Sequence, residues 1–109
     1  GIQKRDFIYI DDLVLAYTLV LKNIHSLEKI NSLEIGSGKS ISIKDFAELI
    51  KKLSKSNIQL DFNSIPLRKN EPMECIADIN LITQLGWKPM YNLDHGINIL
   101  IKKLERGKR

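Results

Sequence analysis

Gln3-Lys4-Arg5-Asp6-Phe7-Ile8-Tyr9-Ile10-Asp11-Asp12-Leu13-Val14 is the stretch around which the rest of the chain is organised. It passes from a charged lead-in, through four apolar β-formers, to an acidic pair. Phe7 to Ile10 are too few for a helix of their own and predict a short strand. Asp11 or Asp12 predicts a helix start, because a capping carboxylate accepts from orphan N–H groups and suits the positive end of the dipole. Arg5 stands just before the expected strand. Its planar, permanently charged guanidinium can there reach a phosphate or a carboxylate at the strand's edge.

Working outward, Leu13 to about Asn23 reads as a helix that is apolar nearly all round, the pattern of a helix covered on more than one face. Ser32 to Ile35 predicts a strand that ends in the turn Gly36-Ser37-Gly38. That turn meets neither phosphate-loop template, since Leu33 and Ile41 occupy the positions where further glycines are needed. Ser42-Ile43-Lys44-Asp45 has the form of a capping box, with Ile41 and Phe46 at the places of a hydrophobic staple. Phe46, Leu49, Ile50 and Leu53 continue that helix as its apolar stripe. Ile58, Leu60 and Phe62 alternate with polar residues and predict a half-buried strand. Pro66 to Pro72 is a loop by its punctuation and carries Arg68 and Glu71. Asp78 predicts the cap of a short helix through Leu85, stopped by Gly86. Trp87 follows as a core anchor. Asn92 or Leu93 opens the last helix, with Ile97, Leu100, Ile101 and Leu104 along one side. The sum is an α/β arrangement of about four helices with a few short strands.

Composition sets the bounds. A chain of 109 residues is one domain at most, or a piece of one. With 43% hydrophobic and 28% charged residues it is an ordinary globular composition. A single cysteine, Cys75, excludes an internal disulfide and fits a reducing, cytoplasmic setting; lying in an apolar run, it reads as a packed, inert thiol. No apolar run approaches the length of a membrane span. The net charge of +4 is carried entirely by residues 102–109, leaving a neutral body. Charges on a helix end and tail, without aromatic platforms between them, argue against a nucleic-acid surface. Cys75, His25 and His95 lack metal-site spacing, and no catalytic constellation emerges.

The order of these features matters more than any one. Arg5-Asp6-Phe7 leads to Asp11-Asp12-Leu13, then Leu33-Glu34-Ile35-Gly36-Ser37-Gly38, and then the helix opened by Ser42. Arg68-Lys69-Asn70-Glu71-Pro72 and Leu85-Gly86-Trp87-Lys88-Pro89 complete the series. Along essentially its whole length the chain resembles the carboxy-terminal part of the extended short-chain dehydrogenase/reductases that act on nucleotide sugars, the NAD-dependent epimerases and dehydratases. The resemblance implies that Arg5 and Arg68 reach the diphosphate of a sugar nucleotide, and that Glu71 accepts from a ribose hydroxyl. It implies structural roles for Asp6, Asp11, Asp78 and Trp87. Such enzymes bind NAD or NADP through a glycine-rich turn and carry a Tyr-x-x-x-Lys pair. Here Leu13, Leu21 and His95 stand four residues after Tyr9, Tyr17 and Tyr91.

The expectation is therefore that residues 1–109 are a carboxy-terminal, nucleotide-sugar-binding segment, non-catalytic and without NAD(P) of its own. The Rossmann part of the parent enzyme would lie upstream, and Gly1 as a first residue hints at cleavage. The missing half, or self-association, would cover the apolar Leu13–Leu21 surface. The alternative expectation is a stand-alone nucleotide-sugar-binding or protein-interaction module.

Overall fold

The computed structural model describes residues 1–30, 32–62 and 70–107. Strand β1 (Lys4–Arg5) pairs antiparallel with β2 (Ile41–Ser42), Lys4 opposite Ser42 and Arg5 opposite Ile41. Lys4 also forms a parallel bridge to Glu74. Around this small sheet lie α1 (Ile10–Lys22), α2 (Ile43–Ser54), α3 (Asn80–Gln84) and α4 (Leu93–Gly107), with a 3-10 turn over Ile24–Leu27. The chain is α/β, and no helix among the described residues is long and apolar enough to cross a membrane.

Local signals mark the start of α2, the end of α3 and the start of α4. The expected cap Asp78, by contrast, stands one residue before the α3 cap position, Ile79, with its Oδ1 accepting from the Asn80 N–H at 3.1 Å. The Ser42 hydroxyl accepts from the Asp45 N–H at 3.0 Å, so the α2 cap forms as expected. Asn92 Oδ1 accepts from the His95 N–H at 2.8 Å and starts α4. At the end of α3, the Gly86 N–H donates to Thr83 and the Trp87 N–H to Ile82, with Gly86 at φ +95°. That pair of bonds is the Schellman stop that glycine favours.

The strands differ from expectation. Pairing falls on Lys4–Arg5, and Phe7 to Tyr9 are spent on packing. Phe7 stacks on Phe46, ring centroids 3.8 Å apart and nearly parallel. Ile8 packs on the central cluster, and Tyr9 is buried against Gly96 and Tyr91. Ser32–Ile35 and Ile58–Phe62 form no ladder among the described residues. Leu33 and Ile35 still face the core, so their apolar pattern reports burial without pairing.

The expected cap by Asp11 or Asp12 is also corrected. Helix α1 starts earlier, with Tyr9 at the cap position and no side-chain cap bond. Both aspartates fall in the first turn, where their charge still suits the dipole. Asp12 is buried, and its carboxylate accepts from the N–H groups of Met90 and Tyr91 at 2.8 and 3.1 Å.

Ala16, Ile82 and Trp87 form the centre of the core, with Leu19, Val20, Ile79 and Leu85 around them. The Trp87 indole N–H donates to the Asp12 carbonyl at 2.9 Å, tying α1 to the chain after α3. On the rim of α4, Lys103 Nζ donates to the Tyr9 hydroxyl at 3.2 Å. That hydrogen bond, with the field of Tyr9, raises the Lys103 pKa above its ordinary value.

Burial stops there on α1. Ile10, Val14, Tyr17 and Leu21, spaced along one face of the helix, are all more than half exposed. The chain exposes 8610 Å² in total, where a folded monomer of its mass exposes roughly 6,200 Å². Its radius of gyration is 16.8 Å, against about 13 Å for a compact domain of this length. Among the described residues, then, only one side of α1 is covered.

Candidate functional site

Asp6, next to β1, organises the site. Its Oδ1 accepts from the Ser37 N–H and hydroxyl at 2.8 and 2.7 Å, and its Oδ2 from the N–H groups of Gly38 and Ala77 at 3.0 and 3.2 Å. One carboxylate thus joins three segments far apart in sequence. Gly36 is required by this approach, since a Cβ there would lie 2.6 Å from the Ala77 Cβ and 2.7 Å from Asp6 Oδ2. The structural role that the resemblance implied for Asp6 has a concrete form in these bonds. Asp6→Ala is expected to cost about 2–3 kcal/mol, since it strands several part-buried donors at once; a shift of the urea midpoint with unchanged slope would show it.

Arg5 follows from the same frame. Its Nη1 donates to the Lys4 carbonyl at 2.7 Å and its Nη2 to Glu71 Oε1 at 3.2 Å. The side chains of Arg5 and Glu71 are 24% and 23% exposed, so the pair is shielded yet reachable. Arg5 also lines a shallow concavity of about 300 Å³ with Asp6, Glu34, Ile35, Cys75, Ile76 and Ala77. Of the three residues expected at the site, two meet. Arg68 lies outside the described residues.

Cys75 is a correction. It is exposed, where its apolar neighbours predicted a packed thiol. The segment is held to β1 by its backbone: the Lys4 N–H donates to the Met73 carbonyl and the Cys75 N–H to the Lys4 carbonyl. Its side chains are left at the edge, and Met73 and Ile76 are exposed as well.

The N–H groups of Ser37 and Gly38 are engaged by Asp6, so the Gly36–Gly38 turn has no open cradle for a dinucleotide pyrophosphate, and that cofactor does not fit there. Among the described residues no group of three or more His, Cys, Asp or Glu side chains is placed to hold a metal ion. A larger concavity of about 780 Å³ runs along α2, lined by Lys51, Lys52 and Lys55 but also by Asp45 and Glu48. Arg5 is not among its lining residues. The sequence offered no sign of the Arg5–Glu71 bond or of the Asp12 linkage, because each joins residues 66 or more positions apart.

No family model matches the chain. It is 37% identical over 103 residues to the CDP-abequose synthase of Salmonella muenchen, covering 94% of this chain and 35% of that one. A UDP-glucose 4-epimerase of Thermotoga maritima, solved with UDP-glucose, superposes on the whole chain and on 34% of its own length, with a TM-score of 0.81 and 21% identity. A GDP-mannoheptose C4 reductase of Campylobacter jejuni with NADP bound superposes on 96% of the chain and 32% of its own length, with a TM-score of 0.77 and 29% identity. The chain spans about a third of the length of these proteins.

Proposed function

We infer the function from one premise: the chain is homologous to the carboxy-terminal part of the extended short-chain dehydrogenase/reductases that act on nucleotide sugars. We propose that residues 1–109 are the segment that grips the nucleotide diphosphate of such a sugar. The observation that carries this reading is Arg5, fixed at two points of its guanidinium and lining a concavity together with Asp6 and Ala77. Arg68 is the second expected fork, and Glu71 the acidic residue of the site. Two guanidinium groups on one diphosphate can each bond two oxygens in fixed geometry, which an ammonium cannot do.

In the whole protein the reaction would be an epimerisation, dehydration or reduction at the sugar. NAD or NADP, held outside these residues, would supply the hydride chemistry. The contribution of this stretch is binding energy from a part of the substrate that does not react. Calorimetric titration with UDP, dTDP, CDP and GDP, each beside its nucleoside, tests the reading. Diphosphates are expected to bind at least tenfold tighter than nucleosides; equal affinity would overturn it.

The apolar face of α1 belongs to the same proposal. Ile10, Val14, Tyr17 and Leu21 are of the kind that another part of the enzyme covers, and failing that a second copy. Residues 1–109 alone are expected to self-associate with rising concentration, and Val14→Glu with Leu21→Glu to abolish it. A species that sediments as a monomer throughout would contradict that coverage.

A further inference from the structure

We propose that Glu71 is a positioning residue for Arg5, holding its guanidinium in the orientation that receives the diphosphate; this rests on the diphosphate reading above. Arginine carries substantial rotamer freedom, and a fork held in place before binding spends less of it on the ligand. Here the holding is visible at both ends. The Lys4 carbonyl takes one terminal nitrogen and Glu71 the other, and among the described residues no further hydrogen bond engages the remaining N–H groups of the fork. An ion pair of this partial exposure adds little to the stability of the fold. Its consequence is orientation.

Two simpler roles for Glu71 lead to different results. If Glu71 is only a negative charge near an anion site, removing it must tighten anion binding. If it serves the ribose alone, its loss must be invisible to an anion that has no ribose. Positioning predicts the opposite sign to the first and a visible loss in the second.

Inorganic pyrophosphate is therefore the probe, titrated into the wild type, Glu71→Ala, Glu71→Gln, Arg5→Ala and the Arg5→Ala/Glu71→Ala double variant. Glu71→Ala is expected to weaken binding about three- to tenfold, the range set by ordering one long side chain. Glu71→Gln, which keeps an acceptor for the Arg5 N–H, should lose less. In the Arg5→Ala background Glu71→Ala should change nothing further, a coupling that a merely structural role does not produce. Tighter or unchanged binding in Glu71→Ala, or an equal loss with and without Arg5, would overturn the proposal. If Arg5→Ala itself leaves pyrophosphate affinity untouched, the diphosphate reading fails and this inference with it, a pattern distinct from the others.

Discussion

Trp87→Ala is expected to lower the stability of the chain by about 3–5 kcal/mol, the range for removing a fully buried large aromatic. Trp87 is 1% exposed and packs with Ala16 and Ile82 at the only fully buried cluster among the described residues. Its indole N–H also bonds the Asp12 carbonyl, and the Asp12 carboxylate holds the Met90 and Tyr91 N–H groups. The side chain therefore closes a loop between α1 and the approach to α4. With a total stability of order 5–15 kcal/mol typical of domains, such a loss is a large fraction. Trp87→Phe keeps most of the ring contact but loses the N–H, and should cost about 1–2 kcal/mol. Urea unfolding followed by circular dichroism measures both. A loss below about 1 kcal/mol for Trp87→Ala would mean that this cluster is not the centre of the core.

Arg5→Ala is expected to weaken nucleoside diphosphate binding about 30- to 100-fold, which corresponds to the loss of charge-assisted hydrogen bonds worth roughly 2–3 kcal/mol. Arg5→Lys should recover only part of this, because an ammonium supplies charge without the planar fork. The substitution removes no core contact, so its urea midpoint should stay close to the wild type. Calorimetry with the preferred diphosphate separates the two effects. Affinity within about threefold of the wild type in Arg5→Ala would remove the arginine from the site.

How much of this was legible in the sequence follows the range of the interactions. Helix ends are local events, so Ser42, Gly86 and Asn92 signalled them within a few residues. Trp87 as a core anchor was equally plain. Strands are relations between segments, and the runs at Phe7–Ile10, Ser32–Ile35 and Ile58–Phe62 carried β-formers without saying what would pair with them. Two of those runs turned out to be packing segments: Phe7 went to Phe46, and Leu33 and Ile35 went to the Trp87 cluster.

Asp12 looked like a cap because caps are read from the next three residues, while its actual partners lie 78 and 79 positions away. Cys75 departs from expectation for a different reason. An apolar run predicts burial only where the chain supplies something to lie over it, and Met73–Ile76 is an edge segment with its side chains outward. The same holds for α1, whose all-round apolarity was legible but whose outer face finds no cover among the described residues. At the candidate site, spacing alone could not join Arg5 to Glu71. The family resemblance put both at one ligand, and the fold brings them within 3.2 Å of each other.

A crystal structure of the protein with a bound nucleoside diphosphate tests the Arg5 site most directly. Diphosphate oxygens are expected within hydrogen-bond reach of the Arg5 guanidinium, in the concavity bordered by Asp6 and Ala77. A diphosphate seated instead along Lys51, Lys52 and Lys55 of α2, with Arg5 still turned only to Glu71 and the Lys4 carbonyl, would contradict it.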